Sequence, residues 1–288
     1  MGDRMKILIT GGDGMLSKKL TKDFSAEHEV FAPGRVDLDI CSRENVADVI
    51  NKFCPELIIH AAAYTNVEEC EKQVDLCYQI NLIGTQNLVE ASVNKKIKFV
   101  YISSTGCYGT FKKDEAYSEL DFPEPTTVHH KSKYLGEEFV KAHLNDHLIL
   151  RTGWIFGGEK DDAKNFVYKR FLESKGKSEM FSDTSQIGNP TSISDFSAQI
   201  SVLIREKCLG VFNCVNSGSA SRFEYVQKII KLFKSDCEVK QAPVGMYKRV
   251  APVSNNESAI NYKLELMGLN VMPSWECALE DYINSLID

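Results

Sequence analysis

No stretch of this 288-residue chain stays apolar for the ~18 residues that a membrane-spanning helix requires. Its first ten residues, MGDRMKILIT, lack the apolar core of a secretion signal. No block of lysine and arginine stands out either, and 34 basic against 40 acidic residues give a formal charge of −6. Nucleic acid and membrane are therefore not the expected partners. Nine cysteines are scattered along the chain without a single CxxC pair. Neither a metal site nor a disulfide framework is indicated, and reduced thiols in the cytoplasm fit this usage. Internal repeats, low-complexity tracts and long linkers are missing too. What remains is an ordinary globular composition, 43% hydrophobic and 26% charged, in a chain long enough for one large domain or two lobes.

Short apolar runs alternate with amphipathic ones in the first half. Residues 6–10, 28–32, 56–63, 98–104 and 147–153 read as buried strands, and 15–25, 43–53, 75–95 and 128–144 as helices. This alternation implies an α/β, Rossmann-type, doubly wound parallel sheet. A further strand is expected at 210–216, with helices near 164–174, 192–206, 222–234 and 275–286. The expected division is a dinucleotide-binding domain over residues 1–160, to which 192–217 return, and a smaller C-terminal lobe from 161–191 and 218–288.

Between the first strand and the first helix lies TGGDGML, with Gly11, Gly12 and Gly14 at the turn and Met15 and Leu16 opening the helix. Such a turn lets backbone approach a pyrophosphate, which then meets free N–H groups and the positive end of the helix dipole. Ser17 stands where a third glycine often sits. The second strand should end over the adenosine ribose, where an acid selects NAD. Here FAPGR supplies no acid and places Arg35 just beyond the strand, so NADP(H) is favoured while NAD(H) stays open. Asp39 and Ile40 are placed to meet the adenine.

The order of motifs then matters: TGGDGML, DLDI, HAAAYTNVEECE, INLIGTQNL, YISSTGCYG, HHKSKYLGE and LRTGWIFG. In that order they resemble the extended short-chain dehydrogenase/reductase superfamily, and most closely its dTDP-4-dehydrorhamnose reductase family. The likeness continues through NFVYKRFLES, SDTSQIGNPTSISD and GVFNCVNSGSASRFEYV, over nearly the whole chain. It implies reduction of a 4-keto-6-deoxy sugar carried on a nucleoside diphosphate, with hydride from NAD(P)H, by a cytoplasmic enzyme that is a homodimer in many relatives. By the same resemblance Ala61, Ala62 and Ala63 would line the cofactor, and Asn81 would organise its site. Tyr64 and Thr65 would lie near the substrate, Ser104 would bond the reacting oxygen, and Lys133 would hold the nicotinamide ribose. Trp154, Asn165, Gln186 and Pro190 would shape the sugar pocket.

One position departs from the family. Its proton donor is a tyrosine four residues before the lysine, and this chain has His129 there. An imidazolium is a usable acid, so Ser104, His129 and Lys133 form the expected catalytic set. His130, Tyr108 and Cys107 are the alternatives for the acid. STGC is also similar to sugar epimerases and epimerase/reductases in which a cysteine removes a proton beside the keto group, which would put Cys107 against the substrate. A third reading is a non-catalytic nucleotide-binding protein, since the family resembles the regulatory subunit of methionine adenosyltransferase.

Overall fold

In the computed structural model, residues 4–93, 95–243 and 245–287 are described. Six strands form one parallel sheet: β1 (Lys6–Thr10), β2 (Glu29–Phe31), β3 (Leu57–His60), β4 (Lys98–Ser104), β5 (His147–Thr152) and β6 (Gly210–Asn213). Their spatial order is β2-β1-β3-β4-β5-β6. The order reverses between β1 and β3, where register pairs Ile9 with Ile59 and Thr10 with His60. In open α/β sheets that switch point is where a crevice forms beyond the carboxyl ends of the strands.

Alternate side chains of each strand enter opposite cores, as the twofold period of a strand dictates. Ile7, Ile9, Leu57, Ile59, Val100, Ile102, Leu148 and Leu150 face a core shared with α1 (Met15–Phe24). Leu8, Ile58, Phe99, Tyr101 and Ile149 face the other, shared with α2 (Arg43–Phe53). The inner strands β1, β3, β4 and β5 are thus buried on both sides, which is why these runs read as continuously apolar. By contrast β2, expected as a buried strand, lies at the sheet edge with Glu29 and Phe31 exposed.

The segment expected as one helix over 75–95 is broken. Asn66 caps a short α3 (Val67–Lys72), followed by α4 (Val74–Tyr78), a π-helical turn at Gln79–Ile83, and α5 (Gly84–Val93). The π turn carries buried Asn81, whose amide is committed to the chain beyond β3, and Gly84 lies so close to Ile40 that a Cβ would sit 2.6 Å from Ile40 Cδ1. Such turns occur often at functional sites.

Helix α6 (Val128–His143) starts from Thr127, whose hydroxyl accepts the His130 N–H. It is clamped to the sheet by a buried network in which Ser103 donates to Glu137 at 2.5 Å and Arg151 pairs with the same carboxylate at 2.7 Å. Helix α8 (Ile193–Arg205) returns to the sheet beside α1, bringing Ile193, Phe196, Ile200 and Leu203 into the first core. A third, smaller core gathers around α7 (Phe166–Ser174), α9 (Arg222–Leu232) and α11 (Trp275–Ile287), and a short parallel pair joins 179–182 to 238–241. Leu264, on α10 (Tyr262–Leu266), and Met272 pack under the sheet instead, although they fall in the segment expected to belong wholly to the smaller lobe.

Candidate active site

A single cavity of about 630 Å³ runs along the carboxyl ends of β1, β3, β4 and β5 and out toward the core around α7, α9 and α11. At one end lies the glycine loop. Gly11 has φ +74°, and a Cβ there would meet Ala62 Cα at 2.9 Å; at Gly12 a Cβ would lie 2.0 Å from the Ala32 carbonyl oxygen. Only glycine permits these approaches. Gly14 begins α1 with neither a side-chain cap nor an acid in the first turn, so the helix N-terminus is left open to an anion. Met15, Leu16, Arg35, Asp39 and Ile40 line the same end. Arg35 is exposed, and its backbone N–H donates to Asp13 Oδ2 at 3.3 Å. The sequence reading missed Asp13, a glycine-loop acid that lines the same end of the cavity.

The wall formed by Ala61, Ala62, Ala63, Tyr64 and Thr65 is set from behind by two buried polar chains. In the first, Thr85 donates to the Asn81 carbonyl and so accepts from His60 Nε2. That leaves His60 Nδ1 to accept from Thr10, whose oxygen takes the Ala62 N–H. Burial accordingly holds His60 well below the ordinary imidazole range. In the second, Asn81 accepts the Tyr64 N–H at 2.7 Å and donates back to the Tyr64 carbonyl at 3.2 Å. Asn81 is fully buried and does not line the cavity; it positions the wall.

Ser104, His129 and Lys133 converge on the middle of the cavity. Ser104 is half-buried, and its oxygen accepts the Gly106 N–H at 3.2 Å. Lys133 is almost fully buried, its ammonium 4.1 Å from the centre of the Tyr101 ring, and desolvation brings it down to about 7. His129 Nδ1 lies 2.9 Å from the Tyr64 carbonyl. A carbonyl only accepts, so the ring proton is on Nδ1 and Nε2 carries a lone pair. Burial, with neighbouring His130 and Lys133 adding to it, lowers His129 to about 3. His129 is therefore a neutral acceptor, which revises the expectation that it donates the proton.

The alternative acids fare no better. Cys107 is fully buried outside the cavity wall, and desolvation holds its thiol well above the ordinary range, which removes the basis for a substrate contact or a thiolate base. Tyr108 is sealed against Tyr117, donates to Asn213, and is likewise raised by burial. His130 does reach the cavity, but burial lowers it to about 4 and its Nδ1 has no partner.

The far end of the cavity is built by the smaller core. Trp154 adopts φ +45°, a strained conformation for an aromatic residue, and its indole N–H donates to Glu257 at 3.0 Å. Arg222 stacks on that indole, its guanidinium carbon 3.4 Å from the ring centre. Gln186 lines this end as well, whereas Asn165 is buried behind it, capping α7 and donating to Tyr282, and Pro190 is buried off the wall. Lys164 donates to Thr65 at 2.6 Å across the cavity mouth, and Arg249 pairs with Glu68 on α3. Lys164, Arg222, Arg249 and Glu257 escaped the sequence reading; no local spacing marks them, because they meet only through the fold.

Comparison with known proteins bears on this arrangement. The sequence model of the RmlD substrate binding domain matches residues 5–287. A spore coat polysaccharide biosynthesis protein of Bacillus subtilis, SpsK, is 28% identical over 279 residues, 96% of each chain. The crystal structure of a dTDP-4-dehydrorhamnose reductase from Clostridium acetobutylicum superposes with a TM-score of 0.94 at 33% identity, covering 99% of this chain and 100% of that one. A Bacillus anthracis dTDP-4-dehydrorhamnose reductase in complex with NADP superposes with a TM-score of 0.93, also at 33% identity, covering 98% and 100%.

Proposed function

This chain belongs to the RmlD substrate binding domain family, and from that premise we propose that it is a reductase acting on a nucleotide-linked 4-keto-6-deoxy sugar with NADPH. One observation carries the reading: a single cavity joins the uncapped glycine-loop helix, the Ser104–His129–Lys133 cluster and the Trp154–Arg222 end. The glycine loop fits a pyrophosphate, since it opens onto an α1 N-terminus with no capping side chain and no acid in the first turn. Arg35 would meet a 2′-phosphate, and Asp39 and Ile40 the adenine. Residues 1–160 and 192–217 would thus hold the dinucleotide, and 161–191 and 218–288 the nucleotide sugar, with Leu264 and Met272 anchoring the latter under the sheet.

Bound there, NADPH would supply the hydride. The chain's own part is to hold the sugar and provide a proton. Arg222, kept rigid on Trp154 and still cationic although burial lowers it to about 10, would bind the diphosphate with Lys164. Ser104 would donate to the keto oxygen. His129, fixed as an acceptor, would take a hydrogen bond from a sugar hydroxyl through Nε2. Lys133, near neutrality, is the group whose proton is available as the alkoxide forms, and it replaces His129 as the acid.

A binding-only protein is the second reading, favoured by the missing tyrosine and the neutral His129. Cofactor oxidation against a panel of dTDP-, UDP-, GDP- and CDP-linked 4-keto sugars tests both. The reductase reading requires stoichiometric NADPH consumption with at least one of them. NADPH binding without turnover on any would replace it with the binding-only reading. A cytoplasmic setting is supported by the nine free cysteines, and no helix among the described residues is long and apolar enough to cross a membrane.

A further inference from the structure

Beside His129 and outside the cavity wall, two cysteines that the proposed reaction does not use come together. Cys70 is on α3, Cys77 on α4 and His129 on the first turn of α6. Their side-chain sulfurs and one His129 ring nitrogen all lie within 4.8 Å of one another, and all three residues are buried. We propose that Cys70, Cys77 and His129 form a binding site for a thiophilic divalent cation of the zinc class.

The donor set suits that chemistry, because soft thiolates and imidazole are the ligands zinc prefers. Zn–S bonds of ~2.3 Å and Zn–N bonds of ~2.0 Å require the three ligand atoms to draw together by about 1 Å. Binding is written M²⁺ + 2 RSH → M(SR)₂ + 2 H⁺. The two thiolates cancel the charge of the ion, so the occupied site buries no net charge, unlike a lone cation. The surrounding bonds are those that would orient the ligands. Asn81 Nδ2 points at Cys77 Sγ at 3.4 Å, and Ser132 Oγ lies 3.3 Å from the same sulfur. The Tyr64 carbonyl lies 2.9 Å from His129 Nδ1 and 3.6 Å from Cys70 Sγ, so it borders the cluster. A neutral imidazole is also the ligating form.

The site accounts for the histidine itself. At a position where the resembled family has tyrosine, a neutral imidazole adds no acid, but one ring nitrogen completes a third ligand. The sequence concealed the site because the two cysteines are separated by six residues and the histidine lies more than fifty residues away. This inference shares His129 with the reaction proposed above, and its test reads metal binding rather than turnover.

The test uses the full chain, fully reduced and stripped with chelator, titrated with Co²⁺ alone and then with Zn²⁺. Expected are one Co²⁺ per chain, thiolate-to-cobalt charge-transfer absorption in the near ultraviolet, and its bleaching by Zn²⁺. Cys70→Ser and Cys77→Ser should each weaken binding by more than about tenfold, the loss that even outer partners of a metal site bring. The exposed cysteines Cys54 and Cys277 serve as controls, and Cys54→Ser and Cys277→Ser should leave the spectrum intact. Wild-type protein without a charge-transfer band overturns the proposal, and needs no variant to fold. So does a band that survives Cys70→Ser and Cys77→Ser but disappears with the exposed cysteines.

Discussion

His129 Nδ1 donates to the Tyr64 carbonyl at 2.9 Å, and this one bond fixes what the histidine offers the cavity. With the proton held on Nδ1, Nε2 presents a lone pair. Charging the ring would place a second cation in a buried site beside Lys133, and His129 is accordingly lowered to about 3. The acid at neutral pH must then be another group.

Lys133 is lowered to about 7 by burial, so its ammonium is populated below that pH and lost above it. Turnover should fall as pH rises through about 7. Lys133→Gln should cut kcat by ~10²–10⁴-fold, the usual loss for a general acid, while His129→Asn should cost less. A kcat that stays flat from pH 6 to pH 9 would eliminate Lys133 as the donor, and a larger loss in His129→Asn would return that role to the histidine.

Cofactor choice should turn on Arg35 and Asp13, which share one corner of the cavity. Arg35→Ala should weaken NADPH more than NADH, because it removes the charge that meets the 2′-phosphate. Asp13→Asn should shift the ratio toward NADPH by removing a repelling carboxylate. Calorimetric titration of both cofactors reads both effects, and ratios unchanged in the two variants would place the 2′-phosphate elsewhere.

The Glu137–Arg151 pair is buried at both ends, with side chains 0% and 4% exposed. Deleting one partner strands the other charge, so Glu137→Ala should destabilise the chain by ~3–5 kcal/mol. Denaturant unfolding measures this directly. A loss below ~1 kcal/mol would mean that the arginine finds water once the carboxylate is gone.

Acid should unfold the protein through its buried neutral histidines. His60 in the folded chain lies well below its ordinary 6.5, and His130 lies at about 4. The unfolded chain therefore takes up protons first, and the stability present above pH 6.5 is lost as pH falls toward the folded values. The thermal midpoint of chelator-treated protein should drop between pH 7 and pH 5, by ~2–4 °C for each kcal/mol. A midpoint constant across that range would show that these rings are protonated in the folded state.

The inner strands of the sheet and the glycine loop were legible in the order of residues. Strands buried on both faces must be continuously apolar, as ILI and LIIH are, and a turn that brings backbone within contact of Ala62 and Ala32 must be glycine. Ser104 and Lys133 were legible only through the resemblance to the reductase family, which places one at a strand end and the other on a helix. The rest is set by contacts between elements distant in the chain. The state of His129 depends on a carbonyl sixty-five residues away, and the sealing of Cys107 depends on burial that no local spacing reports. The π turn at Asn81, the Trp154–Arg222 stack and the Cys70–Cys77–His129 cluster likewise join residues from separate elements. Spacing along a strand or helix encodes which face a side chain occupies; its protonation is set by desolvation and by partners that only the folded chain brings near.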